Sequence, residues 1–298
     1  MRLVSVDKPA TEAAVRRPRS HAEHVELPAG SKAATDLAGN AVKRLVFDDP
    51  KQPVSAAESI FGDDERTRIV DTTAAPWRMV CQLEIEGPGG SSVGTGWLAG
   101  PRTIITAGHC VNADDIGGWA TAITVTPGMQ DGTAPFGSFV ATRFKSVDRW
   151  LTGRDADFDM GVIHIDAVAG KPDPGAALGF FGVAALPDAA LLGRLINVSG
   201  YPGDKRDTTG RIGTQQWFAR NKIERVTPRR LFYAVDTFAG QSGGPAYMID
   251  APGAAPKVVG IHAYGVGGTP ASLGIEANSA PRLIPEVVEM IRGWIAAS

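Results

Sequence analysis

Cysteine is scarce in this sequence, long apolar runs are missing and neither sign of charge dominates; each shortage removes a class of protein. Two cysteines, Cys81 and Cys110, in 298 residues are too few for a disulfide scaffold. No apolar run reaches the roughly 18 residues that a membrane-spanning helix needs. The formal charge of −2, with Lys and Arg scattered among Asp and Glu, leaves no basic stripe to neutralise nucleic-acid phosphates. Neither nucleic acid nor membrane is an expected partner. After Met1–Val6 come Asp7, Lys8 and Pro9, which interrupt any apolar core of the length a secretory signal carries. Helical periodicity is nearly absent too, while 36 Gly and 21 Pro punctuate short apolar runs. An all-β fold is expected, and 43% apolar residues suffice for its cores.

What is present is a serine in a glycine-rich turn, Gly240-Gln241-Ser242-Gly243-Gly244. Upstream, Thr106-Ala107-Gly108-His109-Cys110 closes a β-rich run and supplies a histidine, the usual base for a nucleophilic serine. Between them, Asp159 enters the apolar run Met160-Gly161-Val162-Ile163, where a buried carboxylate can orient an imidazole. Asp155, Asp157 and Asp166 compete for that role, but only Asp159 directly precedes the strand. His164 alternates with apolar neighbours and reads as a packed structural residue. A Gly-x-Ser-x-Gly turn also serves α/β-hydrolases, whose triad runs Ser, acid, His. That order fails here: His262 is the one histidine after Ser242, and Pro245 stands where the hydrolase helix would begin.

With these motifs the chain resembles the glutamyl endopeptidase family of chymotrypsin-fold serine proteases. The likeness extends to Asp64-Glu65-Arg66-Thr67-Arg68-Ile69, Gly96-Trp97-Leu98, Ser199 to Lys205, Asp236-Thr237-Phe238 and Gly260-Ile261-His262. It implies two six-stranded antiparallel β-barrels of the chymotrypsin type with a C-terminal helix. Catalysis would use His109, Asp159 and Ser242, with the backbone N–H groups of Gly240 and Ser242 as the oxyanion hole. The resemblance also implies a primary pocket in which His262 and Thr237 receive a Glu carboxylate through charge-assisted hydrogen bonds, with Ala263, Tyr264 and Gly265 continuing the substrate-binding strand. Asp236 stands where trypsin-like enzymes carry the carboxylate that selects Lys or Arg, which keeps basic specificity as an alternative. A non-catalytic binding protein on a protease fold is the other, although such a protein would be expected to lose a triad member. Gln241 replaces the acid that captures the new N-terminal amine in digestive serine proteases, so activation by that ion pair is excluded.

In such barrels the cysteine beside the catalytic histidine commonly pairs with one just before the Gly-Trp of the next strand. Here that stretch reads Gly94-Thr95-Gly96-Trp97. Two alternatives stand, a Cys81–Cys110 bridge or two buried thiols packing as small apolar groups. By resemblance the protein is extracellular and acts as a monomer on protein or peptide substrates with Glu at the cleavage site. No cofactor and no metal are expected.

Three regions are expected. Residues 1–58, basic and Ala/Pro-rich, read as a largely loose propeptide with one short strand at Val42 to Phe47; its His21 and His24 read as solvated. Residues 59–170 hold strands at Met79 to Ile85, Thr103 to Ala107, Ile123 to Val125, Phe139 to Phe144 and Met160 to Ile165, forming the first barrel. Residues 171–298 hold Leu195 to Ser199, Gln215 to Arg225, Leu231 to Val235, Ala246 to Ile249 and Val258 to Ala263, forming the second. Apolar residues at Ile284, Val287, Val288, Ile291 and Ile295 predict a closing helix over Pro281 to Ala297, with Pro285 in its first turn.

Overall fold

The computed structural model describes residues 3–9, 59–170 and 172–298. Two curled antiparallel sheets carry the fold. The barrel strands of the first are β1 (Val80–Gly87), β2 (Gly90–Leu98), β3 (Thr103–Thr106), β4 (Ala122–Pro127), β5 (Phe139–Ala141), β6 (Arg143–Val147) and β7 (Gly161–His164). Their order runs β6-β7-β3-β2-β1-β4-β5. Only Thr142 separates β5 from β6, so one bent strand touches both ends of that order and the sheet closes as a six-stranded barrel.

The second sheet is built from β8 (Leu195–Gly200), β9 (Trp217–Val226), β10 (Arg230–Tyr233), β11 (Pro245–Met248), β12 (Lys257–Ile261) and β13 (Asn278–Pro281). They run β12-β11-β8-β9-β10-β13. The bridge Gly260–Arg282 and the bond from Leu283 N to Val259 O (2.8 Å) bring β13 back against β12 and close the second barrel. Closure leaves no long unpaired edge exposed.

Two of these strands are absent from the sequence-based set. β2 is rich in Gly and Ser yet pairs on both sides, with β1 and β3. β13 ends on Pro281, where the helix was expected to begin; the helix is Pro285–Ala296. It buries Val287, Val288, Ile291 and Trp294, the face that a 3.6-residue period presents, against the apolar cluster that also fills the first barrel.

The first residues also depart from expectation. Ser5–Asp7 pairs antiparallel with β6, Val6 facing Ser146. Trp294 Nε1 donates to Ser5 Oγ at 2.8 Å, and Lys145 pairs with Asp7 at 2.9 Å. Within the expected loose segment, at least residues 3–9 are therefore docked. Glu58, the last residue of the expected propeptide, with His21, His24 and the run Val42 to Phe47, lies outside the described residues.

Both cysteines are free and buried. Cys81 faces Gly96 across the β1–β2 ladder, whereas the Cys110 sulfur packs at Gly94, where an added Cβ would lie 2.9 Å from it. Burial pushes the Cys81 thiol far above its usual range.

Candidate active site

β3 delivers its chain into the short helix Gly108–Val111, which carries His109. The 3₁₀ turn Ala156–Phe158 precedes Asp159 and is capped by Asp155, whose carboxylate accepts from Asp157 N. β7 follows and pairs with β3, so the register of one strand pair brings the two side chains together. His109 Nδ1 lies 2.7 Å from Asp159 Oδ2, and His109 N donates to Asp159 Oδ1 at 2.9 Å. Asp159 is completely buried. The rival acids have other roles: Asp155 caps the turn and Asp166 pairs with Arg143 at the surface.

Burial alone would push the His109 imidazole down, but Asp159, with a further contribution from Cys110, outweighs it, and the pKa is raised well above the ordinary value. Burial likewise pushes Asp159 up, while the His109 charge and its hydrogen bond, with a further bond from the Tyr264 hydroxyl, bring it below the usual carboxylate range. His109 sits between two aromatic rings, Trp150 at 6.2 Å and Tyr264 at 6.3 Å between centroids. Trp150 is fixed by its own bond to Asn112 O (2.9 Å).

The serine turn leads straight into β11. Thr95 of the first barrel fastens it twice, donating through Oγ1 to Gly240 O (2.7 Å) and through N to Ser242 O (2.9 Å). The Cys110 thiol reaches the same Ser242 carbonyl at 3.6 Å, which puts the neighbour of His109 against the serine. Gly240 (φ +102°) and Gly243 (φ +86°) hold left-handed backbone, and a Cβ on Gly243 would lie 2.1 Å from Thr95 O. Gln241 is buried and accepts from Phe238 N through Oε1 (3.0 Å), so the turn is braced by its own side chain.

Asp236 is also buried, and both its oxygens are taken: Phe61 N and Glu65 N each donate to it at 2.8 Å. Thr237, next in sequence, is held by Asn278 Nδ2 at 2.9 Å. Asn278 also accepts from Ser59 N (3.0 Å), and Ser59 Oγ accepts from Val266 N (3.2 Å). His262 follows β12, wholly buried, with Nδ1 2.8 Å from the Tyr233 hydroxyl. Beyond it Ala263, Tyr264 and Gly265 run alongside Ser279, whose carbonyl accepts from Ala263 N and Tyr264 N at 3.2 Å.

Comparison with known proteins returns the trypsin family model, which covers residues 67–280. The chain belongs to the trypsin family. It is a serine endopeptidase, and protein substrates follow from that. It is 32% identical to the glutamyl endopeptidase of Bacillus licheniformis over 82% of this chain and 72% of that one. It is 34% identical to a Bacillus subtilis protein named extracellular metalloprotease, over 79% of this chain and 69% of that one. Among the described residues of this chain, no three His, Cys, Asp or Glu side chains form a metal-holding group. A solved structure of a Glu endopeptidase in complex with MPD superposes with TM-score 0.66 at 31% identity, covering 80% of this chain and 99% of the other. No helix among the described residues is long and apolar enough to cross a membrane.

Trp150, Tyr233 and Asn278 are the residues of the candidate site that sequence reasoning missed. Each contacts a partner 29 or more residues away, and no local motif announces them.

Proposed function

We propose that this family member is a secreted endopeptidase that cleaves after Glu, and more slowly after Asp, through an acyl-enzyme. Ser242 attacks the peptide carbonyl as His109 takes its proton; Asp159 fixes the imidazole tautomer and stabilises the imidazolium. The tetrahedral oxyanion is met by the N–H groups of Gly240 and Ser242. His109 then returns the proton to the leaving amine, and water repeats the cycle on the ester.

The observation that carries the specificity is the engagement of Asp236 by Phe61 N and Glu65 N. A carboxylate already accepting two backbone donors is poorly disposed to select Lys or Arg. What remains for a substrate side chain is the Thr237 hydroxyl and the His262 imidazole, both suited to an acidic group. Asp is slower because its carboxylate stops one methylene short.

The same contacts support a propeptide role for residues 1–58. Cleavage after Glu58 would turn Ser59 N, already on Asn278 Oδ1, into a charged amine beside Thr237. Profiling cleavage sites in a denatured protein mixture tests the specificity: cuts after Glu support it, and cuts after Lys or Arg retire it.

A further inference from the structure

His109 and His262 are held through the same ring nitrogen by partners of opposite chemistry. Asp159 can only accept a hydrogen, so it fixes His109 as the Nδ1–H tautomer and leaves Nε2 basic, as a proton acceptor for serine must be. His262 instead meets the Tyr233 hydroxyl at 2.8 Å, both side chains being wholly buried and their rings 5.9 Å apart. A hydroxyl donates as well as accepts.

A bound carboxylate accepts only. With Nδ1 engaged by Tyr233, Nε2 is the nitrogen that can serve such a group, and it must then carry the hydrogen. In the neutral ring this makes Nδ1 an acceptor, which requires a donor opposite it; the Tyr233 O–H is that donor. If the ring takes a second proton, the hydroxyl rotates to accept from Nδ1–H, and Nε2–H persists. A carboxylate in the Tyr233 position would enforce the reverse tautomer in the neutral ring and defeat the pocket.

We propose that Tyr233 is the positioning residue that holds His262 as the Nε2–H tautomer and thereby makes the pocket selective for an acidic side chain. This rests on the reading of His262 as receptor for the substrate carboxylate.

The test compares wild type with Tyr233→Phe, both as the full chain allowed to process, on matched peptides with Glu or Gln at the cleavage site. Titration with a serine-directed phosphonate counts active enzyme, so partial misfolding does not distort the constants. Nitrogen-15 spectra of the histidine ring, assigned with His262→Gln, report the tautomer in wild type directly and need no active variant. The expected result is a fall in kcat/KM for the Glu peptide of about tenfold to a hundredfold, the effect of one charge-assisted hydrogen bond, carried mainly by KM. The Gln peptide changes little, and the Nε2–H pattern of wild type is lost in the variant. A Glu-selective wild type whose Phe variant keeps the same Glu-to-Gln ratio, or a wild-type His262 bearing its hydrogen on Nδ1, overturns the proposal alone. A wild type indifferent to Glu overturns the pocket reading together with it.

Discussion

Among the described residues no Arg or Lys forms an ion pair with the buried Asp159; His109 and the Tyr264 hydroxyl keep it ionised, and Asp159 together with Cys110 raises His109. The proton must leave His109 before it can act as base. Because Asp159 and Cys110 together outweigh burial, kcat/KM is expected to rise with pH along a limb centred above the ordinary histidine value of about 6.5 and to be lost as pH falls through it. Asp159→Asn removes the carboxylate and leaves burial to push the imidazole down, so that limb moves to lower pH. Turnover falls on the order of 10⁴-fold because the tautomer is no longer held. Asp157→Asn, two residues away and half-buried, is expected to cost little. A pH–rate profile of the three proteins checks both expectations, and a damaging Asp157→Asn beside a mild Asp159→Asn would reverse the acid assignment.

Elements matter here through their pairing more than through their propensities. β2 contains Gly90, Ser91, Ser92, Gly94 and Gly96, poor strand formers by composition, yet it lies between two partners and supplies the Thr95 bonds that fasten the serine turn. Thr95→Val keeps the strand shape and removes the donor to Gly240 O. The expected result is a loss of about 1–3 kcal/mol of stability from an unmet buried carbonyl, read by urea unfolding, with kcat lowered more than KM. Unchanged stability and kcat would show that the turn holds itself. The same logic explains what the sequence made legible. Ser242, His109 and Asp159 were readable because each sits in a short motif whose local chemistry is distinctive. Strands rich in β-branched residues, such as Val-Ile-His in β7, were readable for their composition. β2 and β13 were not, since their strand character comes from neighbours. Tyr233 and Asn278 stayed hidden because their roles are contacts across the second barrel, with His262 and with Ser59.

At the scale of the whole molecule the proposed site draws on three stretches of chain: the first barrel gives His109, Asp159 and Thr95, the second gives Ser242 and the proposed pocket, and residues 59–66 tie Asp236 beside that pocket to the loop before the serine turn. Phe61 and Glu65 hold Asp236, Arg66 joins Asp64 to Asp204, and Gly203 N reaches Ala239 O at 2.7 Å. Gln241 braces the turn through its own side chain, so the proposed cleavage would act by adding charge rather than by rebuilding the oxyanion hole. An amine about 4 Å from the substrate carboxylate contributes about 1 to 4 kcal/mol between water-like and protein-surface dielectrics. Processing after Glu58 is therefore expected to raise kcat/KM on a Glu peptide by at least about fivefold, and less at high salt. Mass spectrometry of the purified proteins follows the cut: wild type should begin at Ser59, while Ser242→Ala stays intact because it cannot cleave after its own Glu58. Glu58→Gln in the wild-type background should also stay intact and show the lower activity. An uncleaved chain with full activity would overturn the zymogen role of residues 1–58 while leaving the triad and the pocket untouched.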